Sequence, residues 1–366
     1  MRVTKLRLSN YRNLAEQQLS LSAGLNIFAG NNAQGKTNLL ESIYLCASGR
    51  AKRANYDREL VRFGDHEAYV QLAVLPEKVE YPSQIDIHIR DSRPKGIAVN
   101  GVPIRKLADL FGVLLCVIFT PEDLQLIKEG PAERRRFIDM EMCQVSRVYV
   151  YHLQTYYHVL KQRNTLLKSL KGDKLAARKL YDTISVWDEQ LAEHGSKIYC
   201  ERSGFIECLN TFAEDIHSKL TGGSESLSVT YKPNINPDDF RRKLEQSLER
   251  DIAQGSTSAG VHKDDLFFAI NSVDARTYGS QGQQRTASLA AKLAQIKVMT
   301  KLAGEPPVLL LDDVLSELDE RRQTHLMQSI SGIQSVITCT GVEDVVRKVS
   351  TAQSYKLFQI ESGIVT

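Results

Sequence analysis

The chain has little to offer a membrane, a disulfide framework or a zinc site. Its longest unbroken apolar run, Val113 to Phe119, spans seven residues, far short of the ~20 that a membrane helix needs. The N-terminal stretch MRVTKLRLSNYRNL carries no apolar block of the kind a secretory leader has. Six cysteines are present and no two are spaced C-x-x-C. Cys46, Cys116 and Cys339 lie in apolar stretches, so reduced, buried thiols in a cytoplasmic protein are expected. Net charge is only +3, from 47 basic and 44 acidic residues. Bulk charge therefore decides nothing about nucleic acid, and its distribution must. No proline occurs between Pro131 and Pro233, and the chain has one tryptophan. With 366 residues and ordinary apolar and charged fractions, it exceeds one domain of ~150 residues and is neither disordered nor fibrous.

The two ends of the chain read as strands. Lys5 to Leu8 alternates, as do Leu19 to Leu21, Leu25 to Phe28, Ala68 to Leu75 and Ile85 to Ile89. Asn100-Gly101 between Val99 and Val102 predicts a type I′ hairpin. Val113 to Phe119 and Val308 to Leu311 are continuous apolar runs, expected of strands buried on both faces. Leu227 to Tyr231, Ser335 to Cys339 and Leu357 to Ile360 are further strands. The proline-free middle has helical spacing instead: Leu153, Tyr156, Tyr157, Leu160, Leu166, Leu167 and Leu170, a break at Gly172-Asp173, then Leu180, Ile184, Trp187 and Leu191. This pattern predicts an α/β protein with one head built from both chain ends, residues 1–120 with 296–366. A mainly helical second domain, 121–295, is inserted.

Gly30-Asn31-Asn32-Ala33-Gln34-Gly35-Lys36-Thr37 matches G-x-x-x-x-G-K-[ST] between a predicted strand and a predicted helix. That order suits phosphate, because glycines admit the backbone closely and the helix N-terminus adds favourable potential. Lys36 is expected to reach the β/γ-phosphates and Thr37 to hold Mg²⁺. Such a loop needs a carboxylate at the end of a neighbouring strand, and Val308 to Leu311 ends in Asp312-Asp313. Asp312 is the expected Mg²⁺ ligand, directly or through water. Asp313 is the expected group that orients or deprotonates the attacking water.

Tyr278-Gly279-Ser280-Gln281-Gly282-Gln283 opens a helix shortly before that acidic strand. It resembles the L-S-G-G-Q signature of ATP-binding-cassette ATPases, with Gln281 standing for the usual glycine. Ser316-Glu317-Leu318-Asp319 resembles their D-loop. The gap of 244 residues from Lys36 to Ser280 resembles the SMC-like branch rather than transporter cassettes, the alternative reading. The blocks NYRNL at Asn10–Leu14, GNNAQGKTNLLE, FTPEDL at Phe119–Leu124, ERRRF at Glu133–Phe137, GVHKDDL at Gly260–Leu266, YGSQGQQRT and LLLDDVLSELD occur in the order of the RecF DNA replication and repair family. The chain is similar to that family over nearly its whole length.

The resemblance implies an ABC-type P-loop head that binds ATP with Mg²⁺. It implies a homodimer in which Ser280, Gln281, Gly282 and Gln283 of one protomer meet the nucleotide of the other. It further implies action on duplex and gapped or single-stranded DNA, with RecO and RecR, to load RecA. No histidine follows the strand ending Thr338-Cys339-Thr340, and Asp313 replaces the usual glutamate. Both differences predict slow hydrolysis, a switch rather than a motor. Val261 and Lys263 depart from the family's more frequent G-P-H-R-D-D.

For DNA the candidate is Arg147 to Lys179, with eight basic residues and one acid. Lys161, Arg163, Lys168 and Lys171 are the expected contacts, and Tyr149, Tyr151, Tyr156 and Tyr157 are candidates for base stacking. A solvated helix face and core tyrosines remain the competing reading. Arg50, Lys52 and Arg53 form a second basic cluster. Arg134 to Arg136 form a third that suits ion pairs equally well. His262 reads as a hydrogen-bonded loop residue and Trp187 as core.

Overall fold

The computed structural model describes residues 1–171, 180–342, 346 and 354–366. Lys174, Arg178, Lys179 and the expected break at Gly172-Asp173 lie outside the described residues. In chain order the strands are β1 (Arg2–Tyr11), β2 (Leu14–Ser20), β3 (Leu25–Ala29), β4 (Glu67–Leu75), β5 (Ser83–Arg90), β6 (Gly96–Val99), β7 (Val102–Pro103), β8 (Cys116–Phe119), β9 (Leu227–Lys232), β10 (Asp265–Ile270), β11 (Val273–Asp274), β12 (Val308–Leu311), β13 (Ser335–Cys339), β14 (Tyr355–Glu361) and β15 (Ile364–Val365). The helices are α1 (Lys36–Ser48), α2 (Pro131–Val145), α3 (Arg147–Ser169), α4 (Tyr181–Thr221), α5 (Phe240–Gln254), α6 (Gln281–Ala303) and α7 (Glu320–Ser329).

One sheet has the order β15-β14-β3-β13-β12-β8, parallel from β14 to β8. Its strands come from both chain ends, as the apolar runs predict. Alternate residues serve two cores. Leu25, Ile27, Leu309, Leu311, Val117 and Phe119 face the helical side. Phe28, Val308, Leu310, Cys116, Ile118 and Val336 face the other, with α1 and the second sheet. That double burial is why these strands lack polar alternation. The second sheet, antiparallel, has the order β2-β1-β4-β5-β6-β7. Asn100 and Gly101 take φ values of 52° and 77°, the left-handed pair that a type I′ turn requires.

On the helical side α3 and α4 run antiparallel, with Arg163 against Asp188 and Tyr149 against Arg202. A three-stranded sheet, β11-β10-β9, also lies in this half. The strand expected over Val113 to Phe119 begins only at Cys116, and Val113 closes a turn on Leu110. The boundary expected at residue 296 falls within α6, one unbroken helix. Residues Thr286 to Ile296 of that helix are buried without interruption. Among the described residues, no helix is long and apolar enough to cross a membrane. None of the six cysteines is bonded to another, and Cys46, Cys116, Cys143 and Cys339 are buried.

Candidate nucleotide site and signature segment

The Gly30–Thr37 loop joins the carboxyl end of β3 to α1. Two sides fix its path. A Cβ on Gly30 would lie 2.3 Å from the Ile360 carbonyl oxygen of β14, so only glycine passes. Gly35 has φ 111° and sits against the Asn13 side chain. Asn13 Nδ2 donates to the Gln34 carbonyl at 3.1 Å, and the Gly363 amide donates to the same oxygen at 3.2 Å. The turn before β2 and the C-terminal hairpin thus brace the loop. No side chain caps α1, which leaves its first N–H groups for an anion. Lys36 is buried, and its Nζ donates to the carbonyls of Gly30 at 2.6 Å and Asn31 at 3.3 Å. Asn31, Asn32 and Ala33 are exposed at the loop's crest.

Asp312 and Asp313 end β12, and β13 lies between that strand and β3. Thr37 Oγ1 donates to Asp312 Oδ1 at 2.8 Å. Thr338 of β13 donates to the same oxygen at 3.1 Å and accepts from the Asp313 amide at 2.9 Å. Arg53 approaches the other oxygen, Oδ2, at 3.4 Å. A hydroxyl and a carboxylate in hydrogen-bond contact form the hard-oxygen pair that Mg²⁺ prefers, so these residues fit the cation. Among the described residues no cluster of three or more His, Cys, Asp or Glu side chains is poised for a metal. Bound there, the cation would take its other ligands from phosphate and water oxygens.

Asp313 adopts a left-handed backbone, φ 51°. It faces the same hollow as Asn32, Ala33, Gly35, Lys36, Thr37 and Asn38, and among the described residues no histidine lines it. Burial and the Asp312 charge raise the Asp313 pKa, while Lys36 and Arg53 oppose that shift. A carboxylate so raised is a better proton acceptor.

The signature segment is built as an exposed helix start. Ser280 caps α6: its Oγ accepts from the Gln283 amide at 3.2 Å, and Gln283 Oε1 accepts from the Ser280 amide at 2.9 Å. Ser280, Gln281 and Gly282 are exposed, and nothing lies within 3.4 Å of the position a Gly282 Cβ would take. The first two helical N–H groups, at Gln281 and Gly282, keep no intrahelical acceptor. The adjoining Ser316–Asp319 segment is tied to this helix. Arg285 pairs with Glu317 at 3.2 Å, and Arg322 reaches Asp319 at 2.6 Å and Thr286 Oγ1 at 2.6 Å.

Of the expected DNA contacts, Lys161, Lys168 and Lys171 are exposed, as is Arg147. Arg163 requires correction. It is fully buried and bonds Asp188 at 2.5 Å, Asp251 at 2.7 Å and Thr257 at 2.9 Å. Its guanidinium staples α3, α4 and α5 together and has no path to a phosphate. Tyr149 and Tyr156 are core, whereas Tyr151 and Tyr157 are exposed. Arg134 is likewise structural, bidentate on Asp265 at 2.6 and 2.9 Å. His262 is bonded to Tyr156 and to the Thr257 carbonyl, and burial pushes its pKa down to about 4. Trp187 packs against the helical core.

Two residues of this region, Thr338 and Glu225, escaped the sequence reading, which took Arg53 only as part of a basic cluster. Arg53, in the segment after α1, and Thr338 of β13 both meet Asp312, and Glu225 meets Gln283 across 58 residues. The one available signal was the polar Thr338 in an otherwise apolar strand.

A glycine-bearing loop joining a strand to a helix, an acidic strand end one strand removed and a helix whose start is exposed at Ser280–Gly282 match an SMC-like ATP-binding-cassette ATPase head. The fold agrees with solved SMC heads, such as one from Pyrococcus furiosus at 15% identity and TM-score 0.57. The RecF/RecN/SMC N-terminal domain family matches residues 2–366. The DNA replication and repair protein RecF of Lachnoclostridium phytofermentans is 45% identical over 99% of this chain and 100% of its own. That of Lachnospira eligens is 46% identical over 99% and 98%. A solved structure of the recombination mediator RecF with ATP superimposes with TM-score 0.90 at 34% identity, covering 100% of this chain and 96% of that one. The chain belongs to the RecF family of DNA replication and repair proteins.

Proposed function

We propose that this protein is an ATP-controlled DNA-binding switch of recombinational repair. The observation that carries the reading is the 2.8 Å bond between Thr37 and Asp312 in a chain whose Ser280–Gly282 faces solvent. Gly30, Asn31, Asn32, Ala33, Gln34, Gly35, Lys36 and Thr37 hold the ATP phosphates. Thr37 and Asp312 hold Mg²⁺, which when bound neutralises charge on the β- and γ-phosphates. Ser280, Gln281, Gly282 and Gln283 of a second copy close over the γ-phosphate, so ATP drives a homodimer. The head of residues 1–120 with 296–366 carries the loop, and 121–295 carries the signature.

Hydrolysis is slow. Asp313 has a shorter arm than glutamate, and among the described residues no histidine lines the hollow. The protein is a weak ATPase used as a timer, and turnover releases DNA. Lys161, Lys168 and Lys171 contact phosphates of duplex and gapped or single-stranded DNA. The family membership supports a role in the cytoplasm beside RecO and RecR, loading RecA at single-strand gaps.

The test is ATP turnover titrated with gapped, duplex and single-stranded DNA. Stimulation by DNA, greatest with the gapped form, is expected. Turnover indifferent to every DNA would contradict the reading.

A further inference from the structure

We propose that Glu225 is a positioning residue for the signature segment. This rests on the reading of Ser280–Gln283 as the half-site that meets a second protomer's nucleotide. α4 ends at Thr221, and Gly222 turns the chain at φ 67°. The following loop is held at both ends. Ser224 Oγ donates to the Thr221 carbonyl at 2.9 Å, and the Ser226 amide donates to Asn271 at 2.9 Å. Between those anchors Glu225 is four-fifths buried, with a side-chain exposure of 21%. Its Oε1 accepts from Gln283 Nε2 at 2.9 Å.

The consequence lies in what Gln283 does with its other amide atom. Gln283 Oε1 is the acceptor for the Ser280 amide, half of the capping box. Both ends of the Gln283 amide are therefore engaged, one by the signature backbone and one by Glu225. An exposed capping box alone leaves its glutamine free to rotate into water. Glu225 fixes that rotamer and so holds Ser280 and the free N–H groups of Gln281 and Gly282 in one arrangement. A preorganised half-site spends less ordering entropy when it closes on a ligand. The bond is charge-assisted and partly shielded, the setting in which a single hydrogen bond is worth most. His217, buried on α4 with Nε2 3.7 Å from Glu225 Oε2, backs the carboxylate from behind.

Two variants separate the hydrogen bond from the fold. Glu225→Ala removes the acceptor, and Glu225→Gln keeps an oxygen that Gln283 Nε2 reaches. Amide exchange at Ser280, whose N–H is held by Gln283 Oε1, is expected in the ATP-free protomer to quicken roughly fivefold in E225A and to stay near wild type in E225Q. With ATP and Mg²⁺, the protein concentration for half-dimerisation in sedimentation should rise by a similar factor, about fivefold, in E225A only. Nucleotide affinity of the single protomer should not change. Exchange and dimerisation of E225A at wild-type values would overturn the proposal. So would equal damage in both variants, which would mark a structural charge instead. If the wild type stays monomeric with ATP, the reading of the half-site fails, and the exchange data still decide the role of Glu225.

Discussion

The carboxyl group of Glu141 shows how far burial moves chemistry in this chain. It sits on α2 in a cavity lined also by Lys52, Asp123, Phe137 and Lys292. Burial raises its pKa from 4.5 to about 8, with the Lys292 charge opposing and Asp123 adding to the rise. Asp123 has the opposite fate: Lys292 at 3.3 Å and Lys52 at 2.8 Å hold it ionised against burial. A carboxyl raised on folding keeps its proton in the native state while the unfolded chain loses it. The unfolded state then binds fewer protons between pH 4.5 and about 8, and stability falls as pH rises through that window. Glu141→Gln removes this dependence. Urea midpoints at about pH 6 and about pH 8 should fall less for the variant than for wild type. Equal falls would show that Glu141 ionises normally. The same scale explains what the sequence conceals. The Gly30–Thr37 loop is legible because its chemistry is local: glycines, lysine and threonine act within eight consecutive residues. Thr338 meets Asp312 only because β13 lies between β3 and β12, and Glu225 meets Gln283 only because α4 ends beside the start of α6. No local pattern encodes either event.

At the scale of elements, α3 separates charge that looks alike in sequence. It contains no acidic residue, and its basic residues read as one stripe. The helix turns Lys161 and Lys168 to solvent and Arg163 inward. The partners of Arg163 lie 25 and 88 residues away, on α4 and α5, so its role is visible only in three dimensions. Arg163→Ala leaves two buried carboxylates uncompensated and should cost about 3–5 kcal/mol in denaturant unfolding. The double variant Lys161→Ala with Lys168→Ala should change stability by no more than ~0.5 kcal/mol each, yet weaken DNA binding and flatten its salt dependence by about two phosphate contacts. Unchanged DNA affinity would remove α3 from the contact surface. The elements themselves were largely legible, since double burial leaves apolar runs and the inserted hairpin leaves helical spacing. α6 runs buried through residue 296, and its Lys292 reaches the Ile118 carbonyl of β8 at 3.1 Å.

Across the whole molecule, the two segments proposed to bear on one triphosphate do not meet in one continuous motif. The loop and Asp312 are gathered by the parallel sheet. Ser280–Gln283 stands at an exposed helix start, tied to its own chain by Glu225 and Arg322. The proposed reading asks for a second copy. Sedimentation of the wild type and of Ser280→Arg, with and without ATP and Mg²⁺, tests this most directly. The wild type should pass from monomer to dimer only with ATP, and S280R should bind nucleotide yet remain monomeric. A wild-type dimer indifferent to ATP, or an S280R protein that dimerises as well as the wild type, would contradict the account.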